Sequence, residues 1–224
     1  ARWRGARSRI STMVHEQNVV MGKANRLLSF WVDRVAVSFQ ETQSWLSGIP
    51  SILTGMPVRA SIGRYARLDA AAQFGLDVAR LTLLVLGGSQ GSQAINTLMT
   101  AAAAQWSASE RQTLQVIHIA GNADAARVRE AYACAGVTAW VAPFLTAMEA
   151  AYAQADLVIG RAGASMIAEL ASCGKPAILI PYPYAGGHQR ANARVVEAVG
   201  GAVVVEEREA TVERMLIEIR RLLG

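Results

Sequence analysis

From residue 81 onward, short apolar runs alternate with longer stretches in which apolar residues recur every three or four positions. "LTLLVLGG" (81–88) is continuous apolar chain ending in glycines, and "SQAINTLMTAAAAQW" behind it has helical periodicity. The same couple recurs as "LQVIHIAG" with "ADAARVREAYACAG" and "TAWVAPF" with "AMEAAYAQA". It returns as "DLVIG" with "SMIAELASCG", "PAILIPYP" with "HQRANARVVEAVG", and "GAVVVEE" with "TVERMLIEIRRLL". Strands that are apolar at every position are buried on both faces. Their alternation with helices predicts an α/β fold, a parallel sheet covered on both sides and wound by right-handed crossovers.

The first eighty residues are less regular. "ANRLLSFW" reads as a helix and "VDRVAVSF" (32–39) as a strand. "SILTGMPVRASI" reads as a strand running into a linker at Gly55 and Pro57, and "GRYARLDAAAQFG" as a short basic helix. The pattern predicts a complete α/β domain over 60–224 and part of another over 1–59. That first part is expected to expose strand edges and apolar surface, with local disorder or aggregation.

Composition narrows the class. The 224 residues are 52% hydrophobic and 17% charged, which excludes a disordered chain. No apolar run reaches the roughly 18–20 residues of a membrane span. The formal net charge of +5 is partly carried by Arg2, Arg4, Arg7 and Arg9. They read either as contact with nucleic acid or anionic lipid or as a solvated end or sequence foreign to the fold; the lack of an aromatic platform or zinc spacing favours the latter. Cys134 and Cys173 fall in helical stretches and are expected to be buried free thiols; no Cys/His spacing predicts a metal site.

Candidate chemistry sits where strands end. "LGGSQGS" closes one strand and opens a helix. Gly87, Gly88 and Gly91 permit a tight turn, and Ser89 with the helix amides would favour an anion or a carbonyl. The spacing is not the dinucleotide fingerprint, and no Walker lysine follows. "GRAGASMIAEL" offers a small-residue turn, Ser165 as an N-cap, and Glu169 one turn further on the same face. Helix-start amides suit a diphosphate, while a carboxylate one turn away suits a ribose diol beside it. Gln189 and Asn192 share a face of the next helix, and amides suit sugar hydroxyls. Early in the chain, "HEQN" (15–18) places four hydrogen-bonding side chains together.

"HEQN", "GMPVR", "GGSQG", "RAGASMIAEL" and "HQRANA" stand in an order and spacing that resemble the MurG family of bacterial glycosyltransferases, from about residue 13 to the C-terminus. The resemblance implies a GT-B fold of two Rossmann-like domains, of which 60–224 would be the complete C-terminal donor domain and 1–59 the remnant of an N-terminal, acceptor-side domain. It implies inverting transfer of GlcNAc from UDP-GlcNAc to the C4 hydroxyl of undecaprenyl-diphosphate-linked MurNAc-pentapeptide, at the cytoplasmic face of the bacterial membrane, with no metal or cofactor and no nucleic-acid partner. By the same resemblance Leu145 would hold the uracil, and Glu169 the ribose. Ala164, Ser165 and Met166, with Ile167 and Ala168 continuing the segment and Ser89 nearby, would surround the diphosphate. Gln189 and Asn192 would contact the GlcNAc; Asn18 and Arg59 would edge the cleft.

"HEQN" would then be a loop facing the donor sugar. Nothing before His15 resembles the glycine-rich loop in which the family carries its candidate base, so the catalytic group is unassigned, with His15 and Glu16 as substitutes. The membrane-docking patch and the family's last helices would also be missing, making the chain a fragment. Met56 stands where the family usually has Asn. Other readings of the same residues are a nucleotide-sugar-binding module without catalysis, a different GT-B enzyme, and a basic nucleic-acid-binding protein.

Overall fold

The computed structural model describes residues 10–88 and 91–224. The four N-terminal arginines and Ser89 lie outside the described residues.

The chain opens with a small parallel sheet in the order β1-β2-β3: β1 Met13–Glu16, β2 Arg34–Val37 and β3 Ser51–Leu53. Helix α1 (Lys23–Leu28) crosses from β1 to β2, and a 3-10 turn, Gln40–Trp45, leads from β2 toward β3. Its core is Met21, Val35, Val37 and Leu46. Around that core much apolar surface is open: Phe30 is 70% exposed, Trp31 62% and Met13 65%. "HEQN" is therefore not wholly a loop. His15 and Glu16 are the last two residues of β1, paired with Ala36 and Val37, and the loop begins at Gln17. A four-residue strand carries too little periodicity to be read alone; its partner, with each paired residue 21 positions further along (Met13 with Arg34, Glu16 with Val37), is what makes it one.

The second sheet has six parallel strands. They are β4 Leu81–Leu86, β5 Leu114–Ile119, β6 Ala139–Ala142, β7 Leu157–Gly160, β8 Ala177–Leu179 and β9 Ala202–Val204. Their order is β6-β5-β4-β7-β8-β9. The chain winds outward from β4 in one direction, then returns to β7 and winds the other way. That leaves a topological switch point between β4 and β7, and in such sheets ligands bind beyond the carboxyl ends of the strands there.

Eight helices belong with this sheet. They are α2 Arg67–Phe74, α3 Gln93–Ala104, α4 Ala108–Thr113, α5 Ala125–Cys134, α6 Met148–Gln154, α7 Ala164–Cys173, α8 His188–Ala198 and α9 Val212–Leu223. Alternate residues of a strand point to opposite faces. Leu83 and Val85 of β4 pack with Met99, Tyr132 and Met215 on the α3, α5 and α9 side. Leu84 and Leu86 pack with Phe74, Tyr152 and Ile167 on the α2, α6 and α7 side. This two-sided burial is why the strands read as unbroken apolar runs. Ile62, Ala70 and Phe74 belong to the second core, so the chain joins this unit soon after residue 60.

Helix α4 escapes a periodicity reading because it is only six residues long. Its signal is the capping box: Ser107 accepts from the Glu110 amide, and Glu110 accepts from the Ser107 amide. The cysteines are not buried as expected. Cys134 is exposed and Cys173 half-buried, because each is the last residue of its helix, α5 and α7, where the chain turns out toward solvent.

Candidate functional site

A cleft of about 1010 Å³ lies beyond the carboxyl ends of β4 and β7, with Gln17, Asn18 and Arg59 on its far wall. Its floor begins with the glycine turn after β4. A Cβ on Gly87 would stand 2.2 Å from the Ser92 amide nitrogen. Gly91 has φ +78°, and a Cβ there would stand 2.3 Å from the Ala120 carbonyl oxygen. The turn is thus closed on itself and on the end of β5, at a distance only glycine allows. Ser92 caps α3, its Oγ accepting from Ile95 N at 3.4 Å and from Arg161 at 2.8 Å.

Helix α7 supplies the opposite wall. Its N-cap is Gly163, with φ −69° and ψ 145°, so Ser165 is not the cap; it is the exposed second residue of the helix. The first intrahelical bond at this end runs from Ile167 N to Gly163 O at 3.1 Å. The amides of Ala164, Ser165 and Met166 therefore have no partner among the described residues at the positive end of a ten-residue helix, and all three residues line the cleft. Ile167 turns into the core at 6% exposure, and neither it nor Ala168 lines the cleft.

Glu169 does reach the cleft, one turn beyond those amides. Its Oε2 accepts from Tyr152 Oη at 2.9 Å. It has no other hydrogen bond or ion pair among the described residues, so it keeps accepting capacity. Leu145 and Arg59 also line the cleft, and Arg59 donates to the Thr146 carbonyl at 2.9 Å.

Two residues three apart on α8 have different roles. Gln189 lines the cleft; its Oε1 accepts from Tyr182 N at 2.9 Å and Ala162 N at 3.3 Å, and its amide NH₂ has no partner among the described residues. Asn192 is fully buried and does not line the cleft. Its Nδ2 donates to Asn18 Oδ1 at 2.9 Å and to Ala162 O at 3.3 Å, and its Oδ1 accepts from Val19 N at 2.9 Å. The position expected to touch a sugar is a clasp between the two sheets, reinforced by His188 Nδ1 donating to Val20 O at 2.9 Å. Asn18 keeps its place at the cleft edge with its side-chain oxygen already taken.

His15 and Glu16, the substitute bases, are held by hydrogen bonds within the first sheet's own unit. Glu16 is 2% exposed. Burial pushes its pKa up, but hydrogen bonds from the amides of Asn18 and Gly22 and the side chains of Asn25 and Asn18 together bring it below the ordinary carboxylate value. His15 Nε2 lies 3.2 Å from Gly55 O and 3.1 Å from Ser38 Oγ, so it carries the proton and donates. Neither residue lines the cleft.

Among the cleft residues that the sequence alone does not reveal are Gln17, Arg161 and Tyr152. Gln17 lay inside a recognised motif. Arg161 announced itself only as a charge directly after a fully apolar strand: it is 9% exposed, ion-paired with Glu207, and stands 5.2 Å from the Tyr182 ring centre. Tyr152 carried no signal at all beyond helical periodicity. Among the described residues no His, Cys, Asp or Glu side chains group to hold a metal ion.

Comparison with known proteins agrees with this geometry. The chain is 41% identical over 206 residues to a Desulfotalea psychrophila protein described as a UDP-N-acetylglucosamine–N-acetylmuramyl-(pentapeptide) pyrophosphoryl-undecaprenol N-acetylglucosamine transferase, covering 92% of this chain and 54% of that one. A Mesorhizobium japonicum protein of the same description is 42% identical over 218 residues, covering 97% and 58%. The chain thus spans little more than half the length of the curated relatives it matches. Among solved structures, Acinetobacter baumannii MurG superposes with a TM-score of 0.74 at 30% identity, covering 96% of this chain and 58% of that one. A glycosyltransferase of kitacinnamycin, at TM-score 0.61 and 19% identity over 89% of this chain and 48% of its own, shares the fold alone. The fold is that of the GT-B glycosyltransferases. Residues 82–223 match the C-terminal domain of glycosyltransferase family 28, and the chain belongs to that family.

Proposed function

We propose that this chain carries the donor site of an inverting hexosyltransferase that moves GlcNAc from UDP-GlcNAc to the C4 hydroxyl of undecaprenyl-diphosphate-linked MurNAc-pentapeptide. The observation that carries the reading is the pairing on α7 of three amides with a carboxylate one turn behind them, at the switch point of the sheet. The amides of Ala164, Ser165 and Met166 receive the diphosphate, and the helix dipole stabilises the charge that develops as UDP leaves. Glu169 accepts from the ribose hydroxyls, and the backbone at Leu145 holds the uracil. Gln189 donates to the sugar, with Asn18 and Arg59 at the edge.

In the transfer the acceptor O4 attacks C1 from the face opposite the diphosphate, its proton passing to a base within hydrogen-bond reach. His15 and Glu16 stand outside the cleft, and the base is left unassigned. Residues 1–59 belong to the acceptor-side domain and 60–224 to the donor domain. Among the described residues no helix is long and apolar enough to cross a membrane. The reading places the protein peripherally on the cytoplasmic face, where a lipid-linked acceptor is met.

Calorimetric titration with UDP-GlcNAc, UDP-GalNAc and UDP tests the donor site. UDP-containing ligands are expected to bind, and Glu169→Ala to weaken them by about 1–3 kcal/mol, the scale of hydrogen bonds to a charged group. Binding indifferent to that substitution would overturn the assignment of the ribose site.

A further inference from the structure

Tyr152 is a buried phenol whose only described hydrogen bond leaves the core and ends on the cleft carboxylate. The residue is 1% exposed and packs in the core shared by Phe74, Leu84 and Ile167, yet its edge lines the cleft. Burial, and then the neighbouring Glu169, push the phenol far above its usual pKa, so it stays protonated and donates. The acceptor, Glu169 Oε2 at 2.9 Å, belongs to a half-buried side chain that no ion pair among the described residues holds.

A glutamate has three rotatable bonds, and ordering them costs a ligand part of the affinity its hydrogen bonds provide. A ribose presents two adjacent hydroxyls that must find carboxylate lone pairs in one plane. A carboxylate free to turn toward water meets that requirement only part of the time. One held at Oε2 by a rigid core phenol meets it beforehand, and it keeps Oε1 and the second lone pair of Oε2 for the diol.

We propose that Tyr152 is a positioning residue for donor recognition: by holding Oε2 of Glu169 it pre-orients the carboxylate, and it thereby sets how strongly the site distinguishes a ribonucleotide from a 2′-deoxyribonucleotide. The inference rests on the donor-site reading above and adds to it a residue that touches neither sugar nor phosphate. Tyr152→Phe removes one oxygen and preserves the ring that fills the core, so the fold is retained.

The test is a calorimetric comparison of UDP with 2′-deoxy-UDP on the full chain, on Tyr152→Phe, on Glu169→Ala and on the double variant, with thermal melting as a check of folding. The unsubstituted chain is expected to prefer UDP by about tenfold or more, the ratio for one hydrogen bond to a charged group. Tyr152→Phe should narrow that preference to about threefold or less, mainly by weakening UDP. Glu169→Ala should abolish the preference, and adding Tyr152→Phe to it should change nothing further. A preference unchanged in Tyr152→Phe, or an equal loss for both nucleotides, would mean that the phenol serves the core alone and would overturn the inference. Failure of the unsubstituted chain to bind UDP would overturn the donor reading itself, a distinct result.

Discussion

Replacing Asn192 by alanine removes the centre of the contact between the two sheets. Its amide makes three hydrogen bonds, to Asn18 Oδ1 at 2.9 Å, to Ala162 O at 3.3 Å and from Val19 N at 2.9 Å. Each is worth about 0.5–1.5 kcal/mol net, and a donor or acceptor left buried without a partner costs about 1–3 kcal/mol. Asn18 and Val19 are half-buried, so water reaches part of what the substitution strands, while Ala162 is fully buried. The expected loss is about 2–4 kcal/mol, toward the lower end if water fills the gap. Urea unfolding gives the loss, and hydrogen exchange at the Val19 amide locates it: that amide should lose protection while the strands of the six-stranded sheet keep theirs. A loss below about 0.5 kcal/mol with unchanged exchange at Val19 would refute the clasp. It would return Asn192 to the role its position on α8 suggests, a ligand contact.

Two further outcomes are expected. His118 is fully buried between Tyr132 Oη and Asn96 Oδ1, each at 2.9 Å, and burial lowers its pKa to about 3 from 6.5. The folded state therefore resists a proton that the unfolded state accepts below pH 6.5. The stability this contributes is complete above that pH and is lost as pH falls toward 3. Unfolding free energy followed from pH 7 to 4 should show a slope that His118→Gln reduces by up to one proton; an unchanged slope would contradict the assignment. Gly91→Ala forces a side chain into φ +78° and to 2.3 Å from the Ala120 carbonyl, which should cost about 1–3 kcal/mol of stability from the backbone alone and weaken UDP binding. Wild-type melting and titration would refute the close approach.

The features that depend only on neighbours along the chain are legible without the fold. The six strand–helix couples were legible because two-sided burial makes a strand apolar throughout and a helix repeat every 3.6 residues. Glu169 was placed correctly with respect to the α7 amides because one helical turn is a local distance. The glycines at 87, 88 and 91 were legible as a turn, since only the backbone decides it. Where local signals competed, tertiary structure chose. Ser165 is a better cap by composition, yet the end of β7 delivers the chain so that Gly163 takes the cap and Ser165 enters the helix. Gln189 and Asn192 look equivalent on their helix, yet one meets the cleft and the other meets Asn18, 174 positions away. "MVHE" is a strand because β2 lies beside it, and Tyr152 touches the site because α6 packs against α7. A side chain's partner is fixed by which elements share a core, and no spacing along the sequence contains that distance.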